Sequence, residues 1–252
     1  MEAEDKYVHE MDWGINIGNV SKKKLSNYRK YQYNLIRKYI GNNILEVGSG
    51  DRGFTNQIVL NAKPFQSILS IEPSEKLFEI YKDSYLFPDN VSFKKIDLFE
   101  MSNQEYGKFD TIIMIHVLEH IEDDKGAINH LYNLLCDGGH LLIEVPALQK
   151  LYSIHDEKLG HYRRYNKKIM KRIIDEDKFE LKRIWYQDII GVLGSFYYFK
   201  LKKTRINSES GARLVSKQGN IYDKYLIPIQ EIFEKFIPLP LGLSLTCVLK
   251  KK

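Results

Sequence analysis

The sequence predicts an α/β domain, a mostly parallel sheet with helices on both faces. Two observations carry this. Apolar runs of strand length alternate with segments of helical spacing along most of the chain. One such run, 44–47, passes through three glycines (Gly48, Gly50 and Gly53) into the helical spacing of 55–60. Strand, glycine turn and helix make up the nucleotide-binding unit of open α/β sheets. The 252 residues, 43% hydrophobic and 28% charged, suffice for one large domain or one domain with an insertion.

The elements follow in order. Residues 1–25 carry acids with Tyr7, His9, Met11 and Trp13 and read as an N-terminal arm or lid. Residues 26–40 form a helix, with Tyr28, Tyr31, Leu35, Ile36, Tyr39 and Ile40 as its apolar stripe and Gly41 as its stop. The first strand and glycine turn come next. Residues 67–71 are the second strand, ending at Glu72; Pro73 and Ser74 then open a helix that runs to Tyr81. A carboxylate at that strand tip can accept both hydroxyls of a ribose. Residues 91–96 alternate and form the third strand, followed by Asp97 and Leu98. The buried fourth strand, 109–115, runs into His116-Val117-Leu118-Glu119-His120 and an acidic turn ending at Asp124. An amphipathic helix over 126–136 is stopped by Asp137-Gly138-Gly139, and 140–145 is the fifth strand, ended by Pro146. Asn166 caps a helix to about Asp177. Residues 179–185 and 243–249 are the sixth and seventh strands.

About fifty residues separate those last two strands, so 189–240 is an insertion between core segments 26–188 and 241–252. Its apolar stretch 189–199 is too short to span a bilayer. Lys200, Lys202, Lys203 and Arg205 follow, then a polar loop to 220 and an amphipathic helix over 227–237 bounded by Pro238 and Pro240. Lid, dimer face and membrane-surface contact are the open roles for this insertion, with lid plus packing on the core favoured.

Totals exclude several classes. A net charge of +5, from 38 basic and 33 acidic residues, is too slight to imply nucleic acid, and none is expected as a partner. Two cysteines, Cys136 and Cys247, give neither metal spacing nor a disulfide framework, so no metal is expected and the reducing cytoplasm is the expected compartment. The polar first twenty residues do not resemble a signal peptide. A monomer or homodimer is expected.

Charges around the glycine turn select among its ligands. Glu46 stands two residues before the first glycine and Asp51 lies inside the turn. A pyrophosphate there would meet two carboxylates, and like charges repel strongly in a low dielectric. S-adenosylmethionine carries an ammonium and a sulfonium and no phosphate, so the turn favours it over a nicotinamide cofactor.

The string Glu46-Val-Gly-Ser-Gly-Asp-Arg-Gly53 resembles the first motif of class I S-adenosylmethionine-dependent methyltransferases, and the strand-LEH-acidic-turn segment and the Gly138-Gly139 strand match further along. The resemblance implies a Rossmann-like seven-stranded sheet whose last strand is antiparallel. It implies a cofactor site of Glu46, Gly48, Ser49, Gly50, Gly53, Glu72, Pro73, Asp97, Leu98 and His116, with Asp97 on the adenine amino group and the Leu98 amide on the ring. The product would be S-adenosylhomocysteine. The Asn/Asp-Pro-Pro-Tyr signature of aminomethylating nucleic-acid enzymes is missing after strand four, which points to a small-molecule acceptor.

Residues 155–165 (HDEKLGHYRRY) lie after strand five, at the ligand edge of such a sheet. The GHYRRY string resembles a segment of small bacterial methyltransferases, some tied to surface-sugar or lipid-linked precursors. His161 is the first expected general base, then His155; His116 is a third candidate that could equally pack against the cofactor. Tyr162, Arg163, Arg164 and Tyr165 are the expected substrate contacts, the guanidinium forks suiting an anionic group. The expected reaction is O-methylation of a sugar, nucleotide-linked or phosphate-bearing precursor of a surface polysaccharide. N- or C-methylation, or a non-catalytic cofactor-binding subunit, are the alternatives.

Overall fold

The computed structural model describes residues 26–105, 107–195 and 221–252. The expected arm over 1–25 and the polar loop to 220 lie outside the described residues. Seven strands form one sheet: β1 (Asn43–Val47), β2 (Ser67–Ile71), β3 (Val91–Lys94), β4 (Phe109–Ile115), β5 (Leu135–Pro146), β6 (Phe179–Gln187) and β7 (Ser244–Lys251). Their order is β3-β2-β1-β4-β5-β7-β6. Strands β1 to β5 pair in parallel, and β7 is antiparallel to both β5 and β6. The chain winds outward from β1 to β3 and then returns to β4 on the other side of β1. Ligand crevices in open sheets form at such a reversal, outside the carboxyl ends of the strands.

Continuous apolar strands need cover on both faces. One face packs Ile44, Ile68 and Ile113 under Tyr33 and Ile36 of α1 (Asn27–Ile36) and Phe54 and Ile58 of α2 (Gly53–Asn61). The other packs Leu45, Ile112 and Met114 under Ile128 and Leu131 of α3 and Met170 of α4, where α3 is Asp124–Leu134 and α4 is Lys167–Ile173. Side-chain caps start several helices: Ser26, Asp123 and Asn166 each accept from the amide three residues on, and Ser74 does so for the helix Glu75–Tyr81.

Several boundaries differ from the sequence reading. The helix expected over 126–136 starts at Asp124 and ends at Leu134. Leu135 is fully buried and already pairs with Phe109, so β5 begins there; the residues before His140 form a bulge in the strand. The helix after Asn166 ends at Ile173, because Ile174 turns extended and is buried. The third strand stops at Lys94.

Part of the insertion docks on α1. Asp223 accepts from the Ser26 hydroxyl and from the Asn27 and Tyr28 amides. In the helix Ile227–Phe236, Glu234 takes a short hydrogen bond from Tyr31 and Glu231 accepts from Asn34 at 2.9 Å. Among the described residues, no helix is long and apolar enough to cross a membrane.

Candidate active site

The glycine turn is folded back onto the tip of β2. Gly48 and Ser49 donate their amides to the Ile71 carbonyl at 2.9 and 3.0 Å. Gly50 donates to a Glu72 carboxylate oxygen at 2.8 Å, and Ser74 donates to the other at 3.1 Å. Gly48 has a φ of +67°, and a Cβ there would come within 2.4 Å of Val117. Gly50 has a φ of +50° with open space where its Cβ would stand. Both conformations favour glycine, but for opposite reasons. Gly48 lets the turn touch the segment after β4, whereas Gly50 leaves room in front of the turn for a ligand.

The two acids of the charge argument have different surroundings. Asp51 stands on the turn, accepting from the Gly53 amide at 3.0 Å and facing Arg29 at 3.7 Å. Glu46 is buried, taking a short hydrogen bond from Thr55 and one of 3.1 Å from Ser70, so it braces β1, β2 and α2. Burial pushes its carboxyl up to about 7, although the two hydroxyls pull the other way. Asp97 caps the turn Leu98–Glu100, accepting from Phe99 while Glu100 accepts from the Asp97 amide. Leu98 is buried and Pro73 sits between Glu72 and Ser74. Turn, Glu72 and the Asp97 corner follow the carboxyl ends of β1, β2 and β3, and so share one sheet edge.

A second group of side chains gathers beyond β4 and β5. His116 follows β4 with a φ of +54°, a left-handed conformation uncommon outside glycine. Its ring lies between two carboxylates, Nδ1 at 3.3 Å from Glu119 and Nε2 at 3.3 Å from Glu144. Burial opposes charge on this ring, but the two carboxylates outweigh it and raise the imidazole to about 10. Glu144 also accepts from Gln32 of α1 at 2.8 Å. Glu119 is fully buried, and its Oε2 has no hydrogen-bond partner. Burial alone would raise its carboxyl; His116, His120 and His161 reverse that and lower it.

The segment at 161–165 is sewn onto this group. The Tyr162 amide donates to the Glu119 carbonyl at 2.8 Å, and the Tyr165 hydroxyl donates to Asp124 at 3.0 Å. His161 has Nδ1 3.0 Å from Asp156, Nε2 4.0 Å from Glu119, and its ring edge-on to His120 at 4.6 Å. Asp156 is buried and takes two bonds from the Arg164 guanidinium, at 2.7 and 3.2 Å. Arg163 pairs with Asp124 at 2.6 Å and donates to the Glu122 carbonyl. Both guanidiniums expected to face a substrate anion are thus engaged by acids of the chain itself. His155 lies on the short helix Ile154–Lys158.

A family model described as "Methyltransferase domain" matches residues 23–189. The chain belongs to that family. It is an S-adenosylmethionine-dependent methyltransferase, and the donor-side residues suit this cofactor: an open glycine turn, and a strand-tip carboxylate already oriented by two amides. No curated protein sequence matches the chain. Solved structures share its fold. An N-methyltransferase, NodS, from Bradyrhizobium japonicum in complex with S-adenosylhomocysteine is 13% identical, with a TM-score of 0.53 over 88% of this methyltransferase and 84% of NodS. A methyltransferase from Archaeoglobus fulgidus is 17% identical at a TM-score of 0.53, covering 89% of this chain and 94% of its own. Phosphoethanolamine N-methyltransferase 2 of Haemonchus contortus is 15% identical at 0.56, over 89% of this chain and 52% of its own.

Sequence reasoning missed Glu144, Gln32 and Asp156 in this methyltransferase. A signal existed for one of them, since Glu144 is the lone acid in the apolar strand expected over 140–145. Arg52 was missed too. It is buried, in the left-handed region before α2, stacked on Phe87 and Phe93 and donating to the Lys82 carbonyl at 2.6 Å.

Proposed function

We propose that this methyltransferase acts on a hydroxyl group of a small molecule and that His161 receives the proton. The observation that carries the reading is the Asp156–His161 pair. Asp156 is held as a carboxylate by Arg164, so it can only accept, and His161 must donate Nδ1–H to it. The lone pair then resides on Nε2, the nitrogen on the Glu119 side.

When bound, S-adenosylmethionine supplies an electrophilic methyl group whose loss leaves a neutral thioether. The chain supplies the rest. Glu72, the Gly50 turn, Asp97 and Leu98 hold the adenosine, and Val117 against Gly48 joins that side to the histidine cluster. Alignment of the two reactants contributes roughly 7–11 kcal/mol, and a positioned base adds about 10²–10⁴-fold. His116, charged between Glu119 and Glu144, has no lone pair to accept a proton; its role is electrostatic. The 161–165 segment supports a sugar or lipid-linked precursor as acceptor by its resemblance to such enzymes. The pairing of Arg163 and Arg164 inside the chain speaks against an anion-holding role for them.

The test is transfer of a radiolabelled methyl group from S-adenosylmethionine to a panel of hydroxylated and aminated small molecules. Label on oxygen supports the reading. Label confined to nitrogen or carbon, with the hydroxyl compounds untouched, sinks it.

A further inference from the structure

We propose that Glu119, His120 and His161 form a binding site for one divalent transition-metal cation, of which zinc is the probe. Each offers one ligand atom, and the three atoms lie within 4.8 Å of one another. Zinc bonds of about 2.0–2.1 Å in a tetrahedron place ligand atoms roughly 3.4 Å apart, so modest side-chain rotation closes the set. Two imidazoles and one carboxylate, with an open fourth position, are the ligand set of catalytic zinc sites. The earlier expectation of no metal rested on cysteine spacing, which does not bear on a His/Glu site.

Three features point to a ligand here. Glu119 is fully buried; its Oε1 faces His116 at 3.3 Å and His161 at 4.0 Å, whereas Oε2 has no hydrogen-bond partner, an arrangement that costs stability unless something else satisfies that oxygen. His161 is backed by Asp156 at Nδ1, the carboxylate–histidine support that orients metal-bound imidazoles and fixes Nε2 as the ligand atom. Asp156 is in turn held by Arg164 and by the Ser153 amide at 3.0 Å. The Tyr162–Glu119 backbone bond also fixes the two ligand-bearing segments against each other.

This inference rests on the reading that the cluster faces the methyl acceptor. A cation bound there would occupy the Nε2 lone pair of His161, so the metal-bound form and the form in which His161 takes the proton are alternatives at one site.

The experiment uses the full chain, stripped with a chelator, dialysed and titrated with Zn²⁺ in a calorimeter; Co²⁺ is then added to read visible absorption. One Zn²⁺ per chain is expected. Glu119→Gln and His120→Asn should each weaken uptake at least tenfold and remove the Co²⁺ bands, and Asp156→Asn should weaken it roughly 10–100-fold. His140→Gln, at the opposite end of β5, should bind as the parent does. His120 is partly exposed, so its variant keeps the test alive if Glu119→Gln does not fold. No uptake by the parent, or unchanged uptake by the folded ligand variants, overturns the site. S-adenosylhomocysteine titrated into the same stripped protein separates the two readings: its binding without zinc uptake ends only the metal proposal.

Discussion

The proposed donor side and the proposed acceptor side of this methyltransferase are built differently. On the donor side the backbone contacts that hold the turn cross one pair of neighbouring strands or are local: Gly48 and Ser49 reach Ile71, and Gly50 and Ser74 reach Glu72. On the acceptor side the contacts join distant parts of the chain. Gln32 of α1 meets Glu144 of β5, Glu144 meets His116 after β4, and Glu119 meets His161, which Asp156 supports. Backbone amides do most of the holding on the first side, whereas charged and imidazole side chains do it on the second. A backbone-built pocket can bind one cofactor while the chemistry beside it is changed by side-chain substitution alone.

If the two sides are separable, the largest effect comes from His161→Ala. Turnover should fall by about 10²–10⁴-fold, while calorimetry gives S-adenosylhomocysteine affinity within about twofold of the parent. Equal turnover would remove His161 from the chemistry, and a parallel loss of affinity would show that the two sides are one unit.

The next effect concerns stability on the donor side and has a definite sign in pH. Glu46 keeps its proton to about pH 7 in the folded chain, against an ordinary value of 4.5. Between those values the native state binds more protons than the unfolded one, so stability falls as pH rises. The loss approaches about 3 kcal/mol across the window. Glu46→Gln should flatten that slope in denaturant melts at pH 5 and pH 8. A slope of unchanged size in the variant would show that another group carries it.

The same contrast explains what was legible. The sheet, the glycine turn and Glu72 could be read because spacing over a few residues encodes them: a strand, a turn needing positive φ, an acid at a strand tip. Glu46 was read for its charge, yet its bonds to Thr55 and Ser70 make it first a brace. Those partners lie 9 and 24 residues away and leave no local mark. Arg163 and Arg164 looked available for a substrate because sequence does not show that Asp124 and Asp156 fold against them. The β5 bulge was hidden because two glycines after a helix serve equally as a stop and as a strand irregularity.

Glu72→Ala should give the mirror image of the His161 result. The carboxylate is oriented by two amide hydrogen bonds, and its expected charge-assisted bonds to the ribose hydroxyls would contribute about 1.5–3 kcal/mol to binding. S-adenosylhomocysteine affinity is therefore expected to drop by at least about tenfold. Turnover at saturating S-adenosylmethionine should change much less. A Glu72 variant that binds the product as the parent does would place the adenosine elsewhere on the sheet edge.

Arg163→Gln should have the smallest effect and sharpens the acceptor side most. Its guanidinium pairs with Asp124 and donates to the Glu122 carbonyl, and its side chain is 27% exposed. A partly exposed pair of this kind contributes about 1 kcal/mol or less, so a slight fall in melting temperature is expected with KM for the methyl acceptor unchanged. If KM instead rises tenfold or more for a phosphate-bearing acceptor and not for its neutral analogue, Arg163 leaves Asp124 to hold the substrate. The acceptor side would then rearrange on binding, and the contrast with a preformed donor side would become one of motion as well as of construction.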